Sequence, residues 1–263
     1  MDEVKILITG GNGYIAKSLY SAFSCQYQVT SITRNDFDLS DNKQVCSWFD
    51  TNQYDVVIHT AISGGSRLQE DDQTAFDKNM KMFSNLVQNK HRFSKLISFG
   101  SGAELFHGDT PYANSKREIA KQIQELDQFY NLRIFAVFDE DELNTRFIKS
   151  NIIRYIKKEP IVIHKNKVMD FFYMKDLVSL VNYYIKTETP PKTINCSYEQ
   201  KYTLSNIANK INNLLNHKID IEVQQPGLDF YCGEYTNVPV TYNGLDKGIV
   251  QSYFGVKRNK TYI

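Results

Sequence analysis

Val4-Lys5-Ile6-Leu7-Ile8-Thr9-Gly10-Gly11-Asn12-Gly13-Tyr14-Ile15-Ala16 is the stretch whose reading decides the fold. Residues 4–9 form a short apolar run that ends on turn formers, which reads as a buried strand. Residues 14–23 follow with helical spacing at Ile15, Leu19 and Phe23. A strand that enters a helix through glycines presents free N–H groups and the positive end of a helix dipole to an anion. Gly10 lets the chain turn sharply, and Gly13 lets the backbone approach a pyrophosphate. Tyr14 and Ile15 open the helix, and Ala16 is small where helix meets sheet. The stretch reads as a dinucleotide-binding turn, the alternative being a plain strand-to-helix turn.

Outward from this turn, strand and helix patterns alternate. Residues 29–33 read as a strand, and 41–50 as a helix with Val45, Trp48 and Phe49 on one face. Residues 56–58 are a third strand, and 76–88 a helix carrying Phe76, Met80, Phe83 and Val87. A fourth strand over 95–100, a helix over 112–129 and a fifth strand over 132–138 complete the series. Such alternation predicts the α/β class, with a doubly wound parallel sheet of Rossmann type. Helices are expected again at 147–156, 176–185 and 203–215, with a break at Pro190-Pro191. Residues 224–242 are rich in turn formers and tyrosine and show no clear period.

A chain of 263 residues can hold one large domain, or a cofactor domain and a smaller lobe. Its 31 Lys and Arg against 30 Asp and Glu leave a formal net charge of +1. That balance argues against a nucleic-acid partner and against a polybasic membrane patch. No apolar run approaches the ~20 residues of a bilayer span, and the start lacks a signal-peptide pattern, so the cytoplasm is expected. The cysteines, Cys25, Cys46, Cys196 and Cys232, are scattered without metal-ligand or disulfide-framework spacing, so no metal is expected.

The end of the second strand separates the two nicotinamide cofactors. An acidic residue there binds a ribose 2′-hydroxyl, whereas arginine can pair with a 2′-phosphate. The sequence reads Ser31-Ile32-Thr33-Arg34-Asn35, so Arg34 favours NADP(H) over NAD(H) unless it is a plain surface arginine. After the fourth strand comes Ser98-Phe99-Gly100-Ser101-Gly102-Ala103-Glu104, then Pro111-Tyr112-Ala113-Asn114-Ser115-Lys116. On a helix, Tyr112 and Lys116 lie one turn apart on a shared face. An ammonium near a phenol favours the phenolate and makes the tyrosine a usable acid or base near neutrality. Ser101 can hold a substrate oxygen.

These elements resemble the extended short-chain dehydrogenases/reductases, of the NAD-dependent epimerase/dehydratase type. The resemblance implies Ser101, Tyr112 and Lys116 as the catalytic set. It implies Asp38 and Leu39 beside the adenine, and Thr60 and Ala61 of His59-Thr60-Ala61 along the cofactor. It also implies that Met169-Asp170-Phe171 begins the return from a substrate lobe. The expected organisation is then a cofactor domain over 1–145 with 170–190 returning to it, and a smaller C-terminal substrate lobe over 146–263.

Thr33-Arg34-Asn35-Asp36, Ala61-Ile62-Ser63-Gly64-Gly65 and Asn79-Met80 are similar to the GDP-fucose synthase-like reductases of nucleotide 4-keto-sugars. That likeness implies hydride transfer to a nucleotide-linked keto-sugar, with Ser101 and Gly102 toward the substrate. The Gln225-Pro226-Gly227 region lacks the family's phosphate-binding arginine, and Arg146 and Arg154 are candidates to replace it unless they are plain solvated helix arginines. It also implies a homodimer through the helices that include the Tyr-Lys helix. The sequence departs from the family in its short interval between Ser101 and Tyr112, and Gly102 stands where some relatives carry the serine. An NAD-dependent nucleotide-sugar epimerase is the alternative enzyme. A dehydratase lacks support because Gly102-Ala103 replace its acidic pair. A dinucleotide-sensing regulator is the non-catalytic alternative. His91, His107 and His164 read as surface or loop residues, of which only His107 falls near the expected site, and Tyr231, Tyr235 and Tyr242 are candidates either for a sugar pocket or for packing.

Overall fold

The N-terminal apolar run is β1 (Lys5–Thr9), buried from Ile6 onward. It leads through the glycine turn into α1 (Tyr14–Phe23), which buries Ala16, Leu19 and Phe23. Then follow β2 (Gln28–Ile32), α2 (Asn42–Thr51) and β3 (Tyr54–His59). Asp41 caps α2 by accepting from the backbone N–H groups of Lys43 and Gln44, which fixes where the helix starts. Next come α3 (Ala75–Gln88), β4 (Phe93–Ser101) and the single turn α4 (Ala103–Phe106). Helix α5 (Pro111–Gln124) and β5 (Phe129–Ile134) complete the series. This is a computed structural model, and it describes residues 3–66, 70–106 and 108–259.

Six strands form the central sheet in the order β2-β1-β3-β4-β5-β9, where β9 is Thr193–Cys196. The pairs β1–β2, β1–β3 and β3–β4 are parallel, with Leu7 beside Thr30 on one side and Val57 on the other. The order runs outward in opposite directions from the β1/β3 boundary, the position at which open α/β sheets bind ligands. Leu7, Val57, Leu96, Phe83 and Ile119 belong to one buried cluster that joins the sheet to α3 and α5.

The chain forms two units, 1–133 with 181–194 and 134–180 with 195–263. It leaves the first after Arg133 rather than near 145, and it comes back at 181–194. The second unit contains β6 (Val137–Phe138), α6 (Phe147–Lys157), β7 (Ile161–Met169) and β8 (Phe172–Tyr173). It also contains α8 (Leu204–Asn212), β10 (Ile221–Tyr231) and α9 (Gly244–Arg258). Helix α7 (Met174–Lys186) and β9 carry the chain between the units.

Three expectations are corrected. The helix expected over 112–129 stops at Gln124, where the Glu125 and Leu126 N–H groups turn back to the Gln122 and Ile123 carbonyls, and past a left-handed Gln128 (φ 56°) Phe129 joins the sheet core. The strand expected over 132–138 is two strands: β5 ends at Ile134, and Val137–Phe138 pairs instead with Phe172–Tyr173. The stretch 224–242, which lacks a period, contains most of β10, an eleven-residue strand paired in parallel with β7. Nearly all of β10 is exposed, so no buried face imposes alternation on it, and its register shifts between Gln225 and Leu228.

Candidate active site

At the β1/β3 boundary, Gly10 adopts φ +71°, and a Cβ there would lie 2.8 Å from the backbone of Ala61. Only glycine allows this approach of the two strand ends. Side chains fasten them together. Thr60 Oγ1 donates to the Thr9 carbonyl (2.6 Å), the Ala61 N–H donates to Thr9 Oγ1 (3.3 Å), and Thr9 Oγ1 bonds His59 Nδ1 (2.9 Å). Gly13 is the N-cap of α1 without a side-chain cap, and the first turn of α1 has no acidic residue. The early N–H groups of this helix, at Tyr14 and Ile15, therefore face no competing carboxylate of their own helix. That arrangement fits a pyrophosphate.

Arg34 is exposed two residues beyond β2, with no salt bridge among the described residues. Asp38 is exposed as well, and its carboxylate accepts from the N–H and Oγ of Ser40 (both 2.8 Å), which together with Arg34 hold its pKa down. Leu39 is buried in the core.

Helix α5 begins at Pro111, and Thr110 caps it by accepting from the Ala113 N–H at 3.1 Å. Proline at the first helical position and a threonine cap are both favourable at such a start. This places Tyr112 and Lys116 on one face, with Lys116 Nζ 5.8 Å from the centroid of the Tyr112 ring. Lys116 is buried and donates to the Phe99 carbonyl of β4 at 2.5 Å. Burial lowers its pKa to about 8, against an opposing pull from Glu104. His59 is depressed to about 3, first by burial and then by the Lys116 charge, so it is a neutral imidazole at the end of β3.

Ser101 ends β4, and its Oγ accepts from the Ala103 N–H at 3.1 Å. Arg117 holds the short connection from α4 to α5, donating to the carbonyls of Ala103 (3.4 Å) and Gly108 (3.2 Å) and to Asn114. His107 lies outside the described residues.

Three contributors escape a reading of local motifs. Gly65 adopts φ +75°, and a Cβ on it would lie 2.7 Å from Tyr112 Cε2. The Gly65 N–H is fixed by Asp71 at 2.6 Å. Asn79 of α3 exchanges two hydrogen bonds with the Ser63 backbone (2.8 and 2.9 Å) and donates to Ser115 Oγ, which donates to the Tyr112 carbonyl. Glu104 is buried under the turn after β4. Gly64-Gly65 and Asn79 stand in the segments that carry the family likeness, which is the one signal that pointed to them.

In the second unit, Arg146 is the N-cap of α6 and Arg154 lies in its last turn, donating weakly to the Pro160 carbonyl (3.5 Å). Eight residues of helix separate them by about 12 Å along the axis. Tyr231 packs edge-on against Phe135 (5.5 Å), and Tyr242 against Phe172 (5.2 Å). Tyr235 bonds Asn237 (3.3 Å). Asp170 is buried and held by Lys201 (2.9 Å) and the Gly233 N–H (2.8 Å), which makes it an anchor of that unit. A surface hollow of about 650 Å³, lined by Glu140, Lys175, Gln251, Phe254, Lys257 and Arg258, includes none of the expected site residues. Among the described residues, no group of three or more His, Cys, Asp or Glu is placed to hold a metal ion. None of the described helices is long and apolar enough to cross a membrane.

A glycine turn at the sheet's switch point and a tyrosine-lysine pair one helical turn apart are the features expected of a nicotinamide-dependent fold. The profile of the NAD dependent epimerase/dehydratase family matches residues 6–197. The chain belongs to that family, and it is an NAD(P)-dependent enzyme of the extended short-chain dehydrogenase/reductase type. No curated protein matches the sequence.

Solved structures share the fold at low identity. A GDP-mannoheptose C4 reductase from Campylobacter jejuni with NADP bound is 16% identical, with a TM-score of 0.77 over 98% of this chain and 99% of that one. A GDP-L-fucose synthetase from Naegleria fowleri is 15% identical, with a TM-score of 0.77 over 98% and 95%. A UDP-glucose 4-epimerase from Thermotoga maritima, solved with UDP-glucose, is 14% identical, with a TM-score of 0.79 over 98% and 100%.

Proposed function

We propose that this protein is an NADP(H)-dependent reductase of a nucleotide-linked keto-sugar of the 4-keto-6-deoxy kind. The observation that carries the reading is the Tyr112–Lys116 pair on one face of α5, joined to the end of β4 through the Phe99 carbonyl. Bound NADPH would supply a hydride to the keto carbon. Tyr112 gives its proton to the carbonyl oxygen, so that the products are an alcohol and NADP⁺. Lys116, an ammonium beside the ring, makes that proton easier to give and reaches for the nicotinamide ribose. Ser101 Oγ accepts from the Ala103 N–H and keeps its own proton for the carbonyl oxygen.

Gly10, Gly13, Tyr14 and Ile15 take the pyrophosphate, and Thr60 and Ala61 line the cofactor beside them. Asp38 and Leu39 approach the adenine through the turn after β2, and Arg34 pairs with the 2′-phosphate. Gly102 leaves room for substrate next to Ser101. Arg146 and Arg154 are the cations offered to the nucleotide diphosphate, from a unit that serves as the substrate lobe. A homodimer through α3 and α5, working in the cytoplasm, completes the proposal. The NADP-bound Campylobacter reductase and the Naegleria synthetase support the reductase reading by their likeness in fold.

An NAD-dependent epimerase is the second reading, favoured by the likeness to the Thermotoga epimerase. Tight NAD recovered from the purified protein would favour the epimerase, and dependence on added NADPH the reductase. In the decisive experiment, Tyr112→Phe lowers NADPH-coupled turnover of a nucleotide 4-keto-sugar by roughly 10²–10⁴-fold and leaves NADPH affinity unchanged. Turnover retained in that variant overturns the reading.

A further inference from the structure

We propose that Glu104 is the positioning residue of this site: a buried carboxylate that fixes the Gly100–Ser101 turn and serves as the counter-charge for the buried ammonium of Lys116. The proposal rests on the reading of Lys116 as the partner of Tyr112.

Its geometry is specific. Glu104 Oε1 accepts from the Ser101 N–H at 2.8 Å. Oε2 accepts from Arg133 Nε at 2.8 Å and from Asn131 Nδ2 at 3.2 Å. The carboxylate fits because residue 100 is glycine: a Cβ there would lie 2.2 Å from Glu104 Oε1 and 2.4 Å from Asn131 Oδ1. One carboxylate thus ties the end of β4 to two residues of β5. The side chain of Glu104 is 3% exposed and that of Arg133 16%. A buried charge is tolerated only where charge and hydrogen bonds compensate it.

Lys116 approaches the same turn from α5. Its Nζ donates to the Phe99 carbonyl, two residues before the amide that Glu104 holds, so the ammonium and the carboxylate straddle Gly100. Lys116 has no carboxylate within salt-bridge distance among the described residues. The groups acting on it are His59 from β3, Tyr112 on its own helix and Glu104 from α4. His59 is neutral, which leaves Glu104 as the anion that favours the charged form. Arg133 pairs with the other oxygen of that anion, Oε2, and moderates its charge.

This arrangement predicts shifts of opposite sign from two substitutions. Glu104→Gln keeps an acceptor for the Ser101 N–H but removes the negative charge, so the Lys116 titration falls. Arg133→Gln unmasks the carboxylate, so the Lys116 titration rises. The measurement is a ¹³Cε NMR titration of lysine-labelled, cofactor-free protein, with Lys116→Arg supplying the assignment. The wild-type midpoint is expected near 8. Glu104→Gln should lower it by roughly one pH unit, a tenfold change in the proton equilibrium. Arg133→Gln should move it upward, and Glu104→Asp should restore most of the wild-type value.

A midpoint unmoved by Glu104→Gln, or lowered by Arg133→Gln, overturns the proposal. A general loosening of the site cannot produce opposite signs, and if Glu104→Gln does not fold, the Arg133→Gln shift decides. The titration needs neither substrate nor turnover. Its failure is therefore distinct from the failure of the reductase reading, which the Tyr112→Phe experiment addresses.

Discussion

Tyr112 is held at the site by what surrounds its ring and its backbone. Gly65 supplies a surface without a Cβ, in a backbone conformation that L side chains avoid. Gly65→Ala should therefore displace the phenol rather than simply pack beside it. A misplacement of about 1 Å costs on the order of 10²-fold in rate. The expected result is a fall of that order in kcat, with NADPH affinity close to wild type, read by steady-state kinetics and fluorescence titration. Unchanged kcat would show that the ring does not depend on this glycine. Tyr112 and Lys116 were legible in the sequence because four residues on a helix are neighbours whatever the tertiary structure does. Gly65 and Glu104 were not legible as contributors, since their roles arise only where separate strands bring a loop against the Tyr112 ring and a carboxylate under Ser101.

The ends of elements carry the residues proposed for the cofactor. Strand β2 ends at Ile32, and the turn after it is shaped by Asp36, which accepts from Thr33 N–H (2.8 Å) and Thr33 Oγ1 (3.0 Å). That turn leaves Arg34 exposed. Arg34→Ala should weaken NADPH binding about tenfold, the ~1.4 kcal/mol expected of a lost charge-assisted contact, and leave NADH binding unchanged. Equal weakening for both cofactors would remove Arg34 from the 2′-phosphate role. Elements with a buried face were readable as elements, but their faces are turned by about a residue: α1 buries Ala16, Leu19 and Phe23 and α3 buries Met82, Phe83 and Leu86, while the expected Ile15, Phe76, Met80 and Val87 are half-buried. Strand β10 was unreadable because its partner β7 engages its backbone and leaves its side chains in water. The end of α5 was misjudged because Glu125-Leu126-Asp127-Gln128 contains no glycine or proline to signal the turn, and the left-handed residue in it is a glutamine.

At the scale of the whole chain, stability depends on pH through a buried carboxylate of the second unit. In the second unit, Glu142 is buried and its pKa is pushed up to about 8, chiefly by loss of solvation and then by the negative charge of Asp139, against opposing hydrogen bonds and cations. The folded value lies above the unfolded one of 4.5, so its contribution is fully present below about 4.5 and is lost as pH rises through 8. Glu142→Gln keeps the acceptor that the Lys149 N–H uses at 3.0 Å. The variant should gain a few kcal/mol over wild type at alkaline pH and nothing near pH 4, read from urea midpoints. A gain of equal size at both pH values would contradict the buried-carboxylate account.

The amino-acid order alone determined the α/β class, the glycine turn between β1 and α1 and the Tyr-Lys pair, because each is written in contacts between residues close along the chain. Tertiary structure decided where the chain changes unit, which strands pair in the second unit, and which buried carboxylate faces Lys116. Those depend on groups far apart in sequence that meet only once the elements have packed, Phe138 with Tyr173 across β6 and β8, and Glu104 with Asn131 and Arg133 of β5.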